Sequence, residues 1–108
     1  MTDTLKVLGQ AFPTPGSLTD LYTVPASTSV ITSSLVVCNQ GPQSATYLIS
    51  VAIAGAEDIN AQYLYYDVTL LGKETRTHVI GATLATTDVV RVYSTGTISF
   101  NLFGVEVT

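Results

Sequence analysis

The chain of 108 residues has one cysteine, one histidine and no tryptophan, and only 11% of it is charged. Each shortage removes a class of structure or function. A lone thiol, Cys38, permits no intrachain disulfide, so stability must come from burial or from partners, and synthesis in a reducing cytoplasm is expected. A metal centre needs several His, Cys, Asp or Glu side chains to converge, yet His78 and Cys38 fall on different predicted strands. A nucleophile needs a base and a group to orient it, and His78 is the sole imidazole. His78 reads as a half-exposed strand residue near a sheet edge. Cys38, two residues after Val36 on one strand face, reads as a small buried hydrophobe. The basic residues are Lys6, Lys73, Arg76 and Arg91, scattered in a chain of net charge −4. With no basic stripe, nucleic acid and anionic membranes are not expected partners. No apolar run approaches the roughly 18 residues that span a bilayer. Met1-Thr2-Asp3-Thr4 lacks the basic and apolar regions of a secretory signal. The glycines are isolated and make no phosphate loop. No catalytic residue, cofactor or metal ligand is therefore expected.

What is present is apolar and neutral. Hydrophobic residues make up 46% of the chain, so solubility has to come from its many Thr and Ser side chains. Such a surface tolerates close approach, because few charges need desolvating when it docks. The body of the chain alternates with the period of two that marks strands. Tyr47, Ile49, Val51 and Ile53 share a face, as do Leu64, Tyr66, Val68 and Leu70. Val90 and Val92 oppose Arg91 and Tyr93. In the last segment Ile98, Phe100 and Leu102 line one face, with Phe103, Val105 and Val107 on the other.

Turn residues separate these runs. Ser94-Thr95-Gly96-Thr97 reads as a tight hairpin with Gly96 at positive φ, Gln40-Gly41-Pro42 ends a long strand, and Ala56 to Ala61 is one short helical turn. About eight antiparallel strands with short connections predict an all-β sandwich, jelly-roll-like in preference to immunoglobulin-like. The lack of Trp and of a cysteine pair weighs against the latter.

Residues 1–17 hold a short first strand, about Thr4 to Gly9, and a connector through Phe12, Pro13 and Pro15; the sandwich proper is expected over 18–108. The two prolines fix φ and remove two backbone donors, so the segment reads as an extended arm. It would either add a strand to another subunit's edge or pair within its own sheet. Phe12 on this arm is a candidate interface residue. Alternation also places Tyr63, Tyr65 and Asp67 together on the face opposite the core. Two tyrosines and an acid there would stack on a sugar ring or anchor a protein neighbour; alternatively both sheet faces are covered and the tyrosines fill space. The lack of Trp favours a protein interface over a carbohydrate site.

The phrasing of several segments carries a resemblance. These are Asp20-Leu21-Tyr22-Thr23-Val24-Pro25-Ala26, Leu35-Val36-Val37-Cys38-Asn39-Gln40-Gly41, Tyr63-Leu64-Tyr65-Tyr66-Asp67, Thr87-Asp88-Val89-Val90-Arg91-Val92-Tyr93, and the close Ile98-Ser99-Phe100-Asn101-Leu102-Phe103-Gly104-Val105-Glu106. From about residue 4 onward the chain resembles small structural proteins of tailed bacteriophages. That resemblance implies a β-sandwich cement or decoration protein on a capsid, or else a β-domain of the tail, baseplate or fibre. It implies the major capsid protein or another virion protein as partner, a homo-oligomer, and a place in the virion after synthesis in the host cytoplasm. A host-glycan-binding module is the alternative of another class.

Overall fold

The computed structural model describes residues 2–108, folded into nine strands. They are β1 (Asp3–Ala11), β2 (Thr19–Thr23), β3 (Ser29–Asn39), β4 (Ala45–Ala52), β5 (Tyr63–Leu70), β6 (Thr75–Val79), β7 (Thr83–Leu84), β8 (Val89–Ser94) and β9 (Ile98–Val107). Two antiparallel sheets result, one in the order β1-β9-β3-β6 with β7 also on β3, the other β2-β8-β4-β5. With the short β7 set aside, the first strand pairs with the last, the second with the next to last, and so inward to β4 with β5. This nesting is the jelly-roll order. The immunoglobulin order would make the first two strands neighbours in one sheet.

Side-chain period explains the layers. Along β3, Val30, Thr32, Leu35 and Val37 are buried while Ile31, Ser33 and Ser29 are exposed, with a one-residue slip in register at Ser33. The slip keeps Leu35 and Val37 on the inner face after the bulge. Between the sheets Tyr47, Ile49, Leu70, Val92, Ile98 and Phe100 are fully buried, with Tyr47 edge-on to Phe100 at 6.2 Å. Gly9 lets β1 cross close over β2: a Cβ there would lie 2.3 Å from the Leu21 carbonyl oxygen. The two sheets meet at that corner.

Two local expectations change. The segment Ser94–Thr97 is not a hairpin, since β8 and β9 lie in different sheets and the turn carries the chain across. Gly96 has no positive φ; it is glycine because a Cβ would stand 2.7 Å from the Ala45 Cβ. In place of one helical turn over Ala56 to Ala61, two short 3-10 turns form, Ile53–Gly55 before that span and Asn60–Gln62 across its end. Of the two courses open to the N-terminal segment, it pairs within its own sheet, β1 with β9 from Asp3↔Val107 to Ala11↔Phe100. Thr2 and Thr108 extend that ladder with reciprocal backbone bonds of 2.8 and 2.9 Å.

Candidate functional site

The tyrosine cluster predicted on β5 forms, but with different members. Pairing of β5 with β4 runs Ser50↔Tyr63, Ile49↔Tyr65 and then Tyr47↔Val68, so β5 holds extra residues at two places. At the second, Asp67 takes a left-handed φ of 50°, a conformation Asp tolerates better than most residues. Each inserted residue shifts the alternation. Tyr65 therefore turns inward and stacks on the His78 ring, centroids 3.9 Å apart. Val68 and Leu70 follow it into the core side, while Leu64 and Tyr66, expected there, are 48% and 61% exposed. The grouping of Tyr63, Tyr65 and Asp67 on one outer face is thus corrected. Tyr63 and Asp67 remain outside and Tyr66 replaces Tyr65.

On the outer face of β2-β8-β4-β5, register aligns Asp20, Arg91, Ser50 and Tyr63 in one row. The Arg91 guanidinium donates to the Ala56 and Gly55 carbonyls at 2.7 and 3.2 Å and to Asp20 Oδ1 at 3.2 Å. It thereby holds the loop between β4 and β5 over the sheet, and Ser50 and Ala52 are wholly buried on this side. Beside that cover lies an open depression of about 400 Å³ with Leu48 on its floor. Tyr63, Tyr66 and Tyr93 line it together with Asp58 and Asp67. The Tyr63 hydroxyl donates to Asp58 Oδ2 at 2.6 Å, and Tyr66 stands edge-on to Tyr63 at 5.2 Å and 87°. Burial and the Asp58 carboxylate push the Tyr63 hydroxyl up to about 12.

The outer face of β1-β9-β3-β6 has no such cover. Register sets out its rows: Leu5, Val105, Ile31 and Thr83; then Val7, Phe103, Ser34 and Val79; then Gln10, Asn101, Val36 and Thr77. None of these side chains is charged. Leu5 is 80% and Val79 84% exposed, with Val7 and Ile31 near one half. Phe12, 59% exposed, borders the same face beside Asn101 and Ser99. Of the predicted interface residues, then, Phe12 belongs to this face and Tyr63 and Asp67 to the opposite one. The sequence signal for the bare face lay in β9, which is apolar on both sides. Cys38, read as a small buried hydrophobe, also sits on this outer face, paired across to Ser99 and Thr75 and only half-buried.

His78 lies on the edge strand β6, half-buried as expected. Its Nε2 is 2.6 Å from the Tyr47 hydroxyl oxygen, and burial with the nearby Arg76 guanidinium holds its pKa below the usual imidazole value. At the other end of the sandwich the Tyr22 hydroxyl donates to Glu106 Oε2 at 2.5 Å and Lys6 Nζ to Oε1 at 3.3 Å. The Tyr22 bond and Lys6 lower the Glu106 pKa against the opposing effect of burial. Among the described residues no three His, Cys, Asp or Glu side chains converge to hold a metal ion. No protein-family model matches the chain, and no curated protein matches it in sequence.

Proposed function

We propose that the protein is a structural component of a tailed-bacteriophage particle, a capsid cement protein that docks through the outer face of β1-β9-β3-β6. The observation that carries this is the absence of charge from three consecutive rows of that face, with Leu5, Ile31 and Val79 among its exposed side chains. A neutral, partly apolar surface on the major capsid protein would meet it without desolvating an ion, a cost of several kcal/mol per charge. With strands about 4.8 Å apart and a rise of about 3.3 Å per residue, the face covers roughly 400 Å². A stable free complex buries about 800 Å² on each partner. One such face is therefore too small for a tight solitary pair. It suits a repeated lattice, where many copies, themselves joined as a homo-oligomer, add weak contacts.

The mechanism is stabilisation of the assembled shell by added interface, which acts on the assembly and not on a free subunit. It requires no cofactor and no catalysis. The one imidazole is engaged between Tyr47 and Tyr65, and the one thiol sits on the opposite side of its sheet. The resemblance of the sequence to phage structural proteins supports the particle as its location. The test compares heated capsids with and without the protein: those lacking it should release their genome at lower temperature. Equal release temperatures, or labelled protein found only on the tail, would overturn the cement role.

A further inference from the structure

We propose that the depression walled by Tyr63, Tyr66 and Tyr93 on the outer face of β2-β8-β4-β5 binds an uncharged saccharide. A sugar ring presents a flat patch of C–H bonds and, in its plane, hydroxyl donors. Recognition thus needs an exposed aromatic face beside fixed acceptors. Tyr66 supplies the exposed ring, 61% accessible, and its edge-on contact with Tyr63 fixes its tilt. Asp67 supplies a carboxylate from a backbone bulge, the kind of irregularity that re-aims side chains toward a ligand. Asp58 supplies the second, and the Tyr63 hydroxyl holds it in place through one oxygen. The hollow is open, with room at about 400 Å³ for one or two sugar rings against Leu48.

Charge narrows the ligand. No Lys or Arg lines the depression, so sialylated, sulfated or phosphorylated glycans would bring negative charge to two carboxylates. The Tyr63 hydroxyl already donates to Asp58, the kind of bond a sugar hydroxyl would make to Asp67. Both acids then serve as hydroxyl acceptors. The site does not rest on the cement role. It lies on the opposite outer face of a sandwich whose shortest extent is 19 Å, so a docked subunit would present it outward.

The experiment applies the full-length protein to a glycan array carrying neutral, amino and acidic glycans. Retention on neutral hexose-containing glycans is expected, falling by roughly tenfold or more in Tyr66→Ala. Asp67→Gly, which keeps the left-handed backbone and removes the carboxylate, should reduce it similarly. Both variants should melt close to the parent protein, since both side chains are exposed. Val79→Lys on the other face should leave retention unchanged while weakening capsid attachment, which separates failure of this site from failure of the docking face. No retention on any neutral glycan, retention confined to amino or acidic glycans, or retention indifferent to Tyr66→Ala would each overturn the proposal.

Discussion

The two outer faces of this sandwich differ in charge and are finished in opposite ways: one carries Asp20, Arg91, Asp58 and Asp67, the other three rows without a charged side chain. On β2-β8-β4-β5, the partly buried Arg91 holds the loop after β4 over the sheet, and Ser50 and Ala52 vanish from solvent although they point away from the core. On β1-β9-β3-β6, Leu5, Ile31 and Val79 stay exposed with no charge among their row neighbours. The first face is covered in part by its own chain. The second keeps apolar side chains in solvent, and under the proposed cement role another protein would cover it. A single guanidinium accounts for much of the difference, because it satisfies loop carbonyls that would otherwise compete for water.

Removing that guanidinium should therefore have the largest effect. Arg91→Ala deletes two charge-assisted bonds to backbone carbonyls; the third, to the exposed Asp20 carboxylate, contributes little. The expected loss is about 2–3 kcal/mol, seen in denaturant titration, with melting lowered by roughly 10 °C. Proteolysis should become fastest in the loop between β4 and β5. Unchanged stability would mean that the loop covers the sheet through packing alone.

The bare face should respond in the reverse way. Val79→Lys, at an edge-strand position 84% exposed, should change stability by no more than about 0.5 kcal/mol. Val105→Lys, central in its row, tests the same face where a partner would bury it most fully. Capsid association, measured by co-sedimentation, should fall by roughly tenfold or more in both, since docking would bury an unpaired ion. A lysine on the bare face that costs folding energy but not association would erase the distinction between the faces.

Much of this layout is legible in the sequence, and the failures have identifiable causes. Alternation in β8 places Val90 and Val92 inside and Arg91 and Tyr93 outside, as the structure has them. The two-sided apolar pattern of β9 is also visible. Which side meets the core depends on β1 and β3, whose pairing partners lie far away in the chain. The tyrosine grouping fails because alternation assumes an unbroken ladder. In β5 the left-handed Asp67 and the extra residue at Leu64 each reset the phase, sending Tyr65 to His78 and Tyr66 to solvent. Asp within a strand is a weak sign of such a bulge, since it is among the few side chains that accept positive φ. Gly96 misleads for another reason: its requirement is contact with Ala45, a long-range fact that no local turn rule contains.

The smallest predicted effect lies between the faces, where the inner sides of the two sheets share His78. Burial and Arg76 depress its folded pKa below 6.5, and its ring stacks on Tyr65 of one sheet while standing on β6 of the other. As pH falls below 6.5, the unfolded chain takes up the proton first. Stability should therefore decline until the lower folded pKa is passed and then level off. His78→Gln, which cannot titrate, should flatten that slope while keeping a polar partner for the Tyr47 hydroxyl. The Arg91 loop contacts lie on the far outer side, so the cost of Arg91→Ala should be the same at pH 7 and at pH 5.5, to within about 0.5 kcal/mol. A double variant whose losses add at both pH values would show the outer cover and the interior stack to be independent. A coupling between them would mean that covering one face tightens the packing beneath the other, so that the bare face owes part of its shape to the loop on the opposite side.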